Sequence, residues 1–164
     1  NTLHSIAIDA KDNVYVADRG NRRIQVFDTS GKLLRVITID VPVPADARAA
    51  IGNKPPATFA PGSNQAMAPG SPWAICITPP DAKKTHYLYM ADAFPGRVYK
   101  FSLDGKLLGY FGKAGKQPGQ FGWIHEIACP SENTLYVGEL LSWRVTKLTL
   151  KVLLVLCMAV LSKV

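Results

Sequence analysis

Apolar positions come in short β-prone runs separated by turn residues. In the first stretch, residues 5–8, 14–17, 23–27 and 33–37 read as four strands. Val14-Tyr15-Val16 and Ile24-Gln25-Val26-Phe27 flank the turn-forming Asp18-Arg19-Gly20-Asn21-Arg22, so a hairpin is expected there. The turns at 30–34 (SGKLL) and 104–108 (DGKLL) put Gly31 and Gly105 where a tight hairpin needs a positive φ, and another strand should follow each.

The same landmarks return further along. Asp18 to Asp92, Arg23 to Arg97 and Gly31 to Gly105 are each 74 residues apart, and Asp92 to Glu139 and Arg97 to Arg144 are each 47 apart. Three units result, at about 1–40, 72–112 and 121–150. In each, a carboxylate precedes an arginine by five residues: Asp18 and Arg23, Asp92 and Arg97, Glu139 and Arg144. A group that recurs in every unit reads as structural, here an ion pair pinning the hairpin. Four-stranded units in tandem predict an all-β fold, a β-propeller whose blades must bury their faces against one another. Three blades make only part of a ring, with the propeller spanning 1–150. Residues 41–71, rich in proline and alanine, read as an inserted loop. From residue 151 the chain runs into an apolar tail, LKVLLVLCMAVLSKV from Leu150 onward, which periodicity alone assigns neither to strand nor to helix.

Composition narrows the classes. The 164 residues carry 19 Lys+Arg against 12 Asp+Glu, a net charge of +7, and 48% are hydrophobic, which suits one folded domain. The basic residues are scattered from Lys11 to Lys163, so the charge gives little ground for nucleic acid as a partner. The longest apolar run, 152–161, is too short for a membrane-spanning helix. The first residue is Asn1, with no signal-peptide pattern after it, and the chain reads as a fragment or a processed product. Cys76 and Cys129 align at positions of opposite strand parity, Cys76 with Ala7 and Cys129 with Ile8. Their side chains are therefore expected on opposite faces, without a disulfide. The tryptophans at 73, 123 and 143, with Tyr110, Phe111 and Phe121, read as core packing more than as a base-stacking surface.

The first unit, IAIDAKDNVYVADRGNRRIQVFDTSGKLL, resembles the NHL repeat, and the second and third units resemble it more loosely. The order of features is also similar to the C-terminal half of peptidyl-α-hydroxyglycine α-amidating lyases, zinc-dependent NHL-like enzymes that release an amidated peptide and glyoxylate. His4 and the Ala17-Asp18-Arg19 triplet match the blade that carries a zinc histidine and an arginine after the AD pair. Trp73 stands in the histidine-free blade, and His125-Glu126 stands in the last histidine blade, where the family commonly has an aspartate after the histidine. The resemblance implies His4 and His125 as metal ligands, Arg19 as the catalytic arginine, zinc as the cofactor and a structural calcium. It further implies a peptide or small-molecule substrate and a bacterial, secreted or periplasmic protein.

The family's remaining zinc histidine and its base, a tyrosine, would lie upstream of Asn1. Phe94, two residues after Asp92, lacks the hydroxyl to replace that base. Two other readings stay open: a non-enzymatic propeller that binds protein, peptide or RNA through one face, and a truncated chain whose exposed blade edges drive dimerisation.

Overall fold

The computed structural model describes residues 2–50, 54–56, 60 and 63–151. Blade one is the antiparallel sheet β1 (Leu3–Ile8), β2 (Val14–Asp18), β3 (Arg23–Phe27) and β4 (Leu33–Thr38), paired in that order. Blade two repeats it with β5 (Ala74–Ile77), β6 (Tyr87–Ala91), β7 (Val98–Ser102) and β8 (Leu107–Phe111). A short parallel pair, β9 (Lys113–Ala114) and β10 (Gln120–Phe121), leads into blade three, which has β11 (Ile124–Ser131), β12 (Thr134–Glu139) and β13 (Arg144–Thr149). The chain is thus all-β, a partial propeller of NHL-type blades. The contribution of the apolar tail beyond Lys151 lies outside the described residues. Among the described residues no helix is long and apolar enough to cross a membrane.

Local chemistry explains the hairpins. The Asp28 carboxylate accepts hydrogen bonds from Ser30 N, Ser30 Oγ and Lys32 N, while Gly31 takes φ +82° to close the turn into β4. The residue four after each blade's carboxylate adopts a left-handed backbone in every blade: Arg22 (φ 53°), Gly96 (φ 84°) and Trp143 (φ 50°). Only glycine does so without strain.

The alternation along each strand serves two interfaces. Tyr15, Ala17, Ile24 and Val26 on one face of blade one pack against Ile75, Leu88, Met90, Tyr99 and Phe101 of blade two. The opposite face of blade two, with Ala74, Tyr89, Ala91 and Val98, packs against Ile124, Ile127, Cys129, Leu135 and Val137 of blade three. Each fully buried side chain of this size contributes about 1.5–3 kcal/mol. Matching tyrosines tie successive blades: Tyr15 donates to Leu103 O at 3.2 Å, and Tyr89 to Glu132 O at 2.6 Å.

This stacking overturns the expectation for the cysteines. Cys76 and Cys129 form a disulfide, with Cα atoms 6.1 Å apart. The parity argument held within each blade but stopped there. Because blades stack front to back, one face of blade two meets the opposite face of blade three, so cysteines of opposite parity confront each other across the interface. Cys76 pairs with Tyr89 on the face that blade three covers.

The ion pairs also depart from the uniform expectation. Arg23 Nε reaches Asp18 at 2.7 Å and Arg144 Nε reaches Glu139 at 2.6 Å, but in blade two the Arg97 guanidinium makes no ion pair with Asp92. Asp92 is fully buried and instead accepts from Gly70 N, Gly96 N, Arg97 N and the Tyr99 hydroxyl, the last at 2.6 Å. Tyr99 occupies the register position of Gln25 and Thr146, and its hydroxyl donates to Asp92 as that of Thr146 donates to Glu139. Trp143, expected in the core, is 95% exposed.

Candidate functional site

Strand β5 lies between β1 and β11, so the first residues of three innermost strands gather at one mouth of the channel. His4 and His125 each sit where the ladder slips by one residue. Leu3 pairs with Asp18 and Ser5 with Ala17, leaving His4 as the extra residue, and Ile124 pairs with Glu139 and Glu126 with Gly138, leaving His125. Bulges of this kind re-aim a side chain at a sheet's end. Here they aim two imidazoles at each other, and the ring centroids are 4.9 Å apart in an edge-on arrangement.

Trp73, just before β5, joins the group. Its ring centroid lies 4.9 Å from that of His4, 5.9 Å from His125 and 4.9 Å from Trp123. Its carbonyl meets His4 Nδ1 at 2.5 Å. A carbonyl only accepts, so Nδ1 carries the proton and the lone pair is left on Nε2. Arg19, in the tight turn Arg19–Asn21 that follows β2, lays its guanidinium over the Trp73 ring, 3.9 Å from the centroid. The structure therefore places Arg19, His4 and His125 in one cluster, with Trp73 between them.

The described end of the inserted loop buttresses this mouth. Gln65 N donates to Gly20 O and Trp73 Nε1 to Ala66 O, Arg22 Nε donates to Pro69 O, and Ser71 Oγ donates to Arg19 O. Burial lowers the His4 pKa against the opposing bond to Trp73 O, and the charges of Arg19 and His125 lower it further. The imidazole is thereby held in its neutral, ligating form. Among the described residues, Arg19 Nε, Trp123 Nε1 and Ser142 Oγ are buried without a hydrogen-bond partner.

Two imidazoles, one of them with its tautomer fixed by a backbone carbonyl, suit zinc. Among the described residues no group of three His, Cys, Asp or Glu side chains converges to complete such a site. Glu126 follows His125, both are exposed, and Glu126 Oε1 accepts from Ile127 N at 2.9 Å. Repeat position pointed to the two histidines, and the family resemblance to Arg19. Neither gave a sign of Trp73 as the residue that touches all of them, because a tryptophan at a histidine position reads as a gap in the pattern.

Comparison with known proteins agrees with the architecture. The NHL repeat family matches residues 1–27. No curated protein matches the chain. Among solved structures, a catalytically inactive variant of virginiamycin B lyase from Staphylococcus aureus with quinupristin is similar at 12% identity and a TM-score of 0.52, over 93% of this chain and 43% of that one. Kuenenia stuttgartiensis hydrazine synthase is similar at 13% identity and a TM-score of 0.49, over 83% of this chain and 28% of that one. The chain spans less than half the length of either structure. The repeat match and the sheets together identify a partial β-propeller of NHL-type blades.

Proposed function

We propose that the chain is part of a zinc-dependent, amidating-lyase-like propeller, with His4 and His125 as metal ligands and Arg19 as the substrate-facing cation. One observation carries this reading: two histidines from non-neighbouring blades sit on matching bulges with ring centroids 4.9 Å apart. Zinc held there would act as a Lewis acid on a substrate hydroxyl or its oxyanion.

The chain's own residues prepare for that chemistry. Trp73 O fixes the His4 tautomer, burial keeps His4 neutral, and the Trp73 ring holds Arg19 over the mouth of the channel. Arg19 forms no ion pair among the described residues, so its charge is available to a substrate carboxylate or to developing negative charge. A third protein ligand and a general base are not among the described residues, and turnover by this chain alone is not expected.

Zinc analysis tests the reading, with one ion per chain in the wild type and loss on His4→Ala or His125→Ala. Glyoxylate release from a peptidyl-α-hydroxyglycine then tests the activity in a chain that carries further blades. A second reading, a non-enzymatic propeller that binds protein, peptide or RNA through one face, draws on Trp143, which is 95% exposed beside His125 and Val145 in an open hollow. Salt-sensitive binding of single-stranded RNA to a metal-free chain favours that reading.

A further inference from the structure

Blade two releases an arginine that the other two blades use structurally. Arg23 and Arg144 each close an ion pair with their own strand carboxylate, whereas Asp92 is taken up by Gly70 N, Gly96 N, Arg97 N and the Tyr99 hydroxyl, and the Arg97 guanidinium makes no ion pair with it. Arg97 is only 4% exposed, donates from Nη1 to Pro42 O at 3.0 Å and lies over the Tyr110 ring at 4.5 Å. No carboxylate stands within ion-pair range of it among the described residues. A buried guanidinium is costly unless something answers its charge.

That arginine lines a cavity of about 400 Å³ between the start of the inserted loop and the segment that joins blades two and three. Arg48 and Lys113 line the same cavity, against one acid, Asp46, leaving two formal positive charges in excess. Gly112 and Gly115 also line the wall, both with positive φ; a Cβ at Gly112 would meet the Phe121 ring and one at Gly115 the Gln120 side chain.

We propose that this cavity is an oxyanion site, separate from the histidine cluster, that takes the carboxylate or phosphate group of a small molecule on Arg97, with Lys113 and Arg48 supplying further positive charge. The planar guanidinium suits the two-pronged geometry of either group, and the volume falls within the range of small-molecule sites. The proposal is independent of zinc and of the lyase reading.

Calorimetric titration with inorganic phosphate and, separately, with succinate tests it, with sodium chloride as the ionic-strength control. At least one of the two is expected to bind saturably, one per chain, with a dissociation constant of about 1 mM or tighter. Arg97→Gln is expected to weaken that binding roughly 10-fold or more, Lys113→Gln about 3-fold, and Lys32→Gln, exposed in the turn of blade one, not at all. Should Arg97→Gln fail to fold, Lys113→Glu replaces it and is expected to abolish binding. Absence of saturable binding by both anions overturns the proposal. So does binding that survives Lys113→Glu unchanged or disappears with Lys32→Gln.

Discussion

Asp92 is a buried acid without a cation. Burial pushes its pKa up to about 7, against the hydrogen bonds from Arg97 N, Tyr99, Gly70 N and Gly96 N. Because the folded value lies above the ordinary carboxylate value, this group's contribution to stability is complete at low pH and is lost as pH rises through 7. Asp18 and Glu139 behave in the opposite sense. Burial opposes ionisation in both, but hydrogen bonds from Asn21 and Arg23 to Asp18, and from Arg144, Gly122 N and Thr146 to Glu139, hold their pKa values below normal. Their contributions are present above the usual carboxylate range and are lost as pH falls through the depressed values. Urea midpoints between about pH 5 and 8 should therefore decline for the wild type and stay nearly level for Asp92→Asn, although the amide lowers stability overall. Equal slopes in the two proteins would show that Asp92 does not titrate in that window. None of this was visible from the spacing of carboxylate and arginine, which is identical in all three units. What sets blade two apart is that Gly96 N and Arg97 N both donate to Asp92 Oδ1, where blades one and three bring an arginine Nε to the carboxylate.

At the scale of the strands and turns, the alternation of apolar residues revealed both the strands and the faces they present. The expected runs at 14–17 and 23–27 correspond to Val14–Asp18 and Arg23–Phe27. How those faces stack is a matter between sheets, and there the cysteine expectation failed. The bridge between β5 and β11 closes a separation of 53 residues, for which chain entropy gives roughly 4 kcal/mol. Reduction, or Cys129→Ser, is expected to lower the unfolding free energy by up to about that amount, measured by denaturant titration with and without reductant. No change on reduction would mean that the bridge is absent in solution. The left-handed position four after each carboxylate gives a second prediction. Trp143 holds φ 50° while its side chain is 95% exposed, so Trp143→Gly should relieve backbone strain at no cost in packing. Set against the greater freedom of glycine in the unfolded chain, the thermal midpoint is expected to be unchanged or to rise, by up to about 1 kcal/mol in stability. Clear destabilisation would reveal packing around Trp143 that its exposure denies.

At the scale of the whole molecule, two blade faces are open among the described residues. Ile6 and Ile8, 64% and 60% exposed, occupy the positions that Ile75 and Ile77 hold in blade two, where Ile75 is buried against blade one. On the far side of blade three, Tyr136 and Val145 are likewise open to solvent. Blade faces that meet front to back elsewhere in this chain should meet between chains as well. Sedimentation at roughly 10 μM is expected to show self-association that Ile8→Lys combined with Val145→Lys abolishes. A wild-type chain that stays monomeric would contradict this. The gathering of His4 and His125 was legible because equivalent residues of a repeat return to equivalent places around a ring, whereas Arg19 was named only through the family resemblance. Their coupling through Trp73 was not, since contacts between blades leave no period in the sequence. The central claim is that the two bulged histidines grip one metal ion, and zinc titration of the wild type, His4→Ala and His125→Ala tests it most directly. The account predicts one ion per chain in the wild type and an affinity at least about 10-fold weaker in each variant, with binding falling as pH drops below the ordinary histidine range. A wild type that binds no zinc, or variants that bind it as tightly as the wild type, would contradict it.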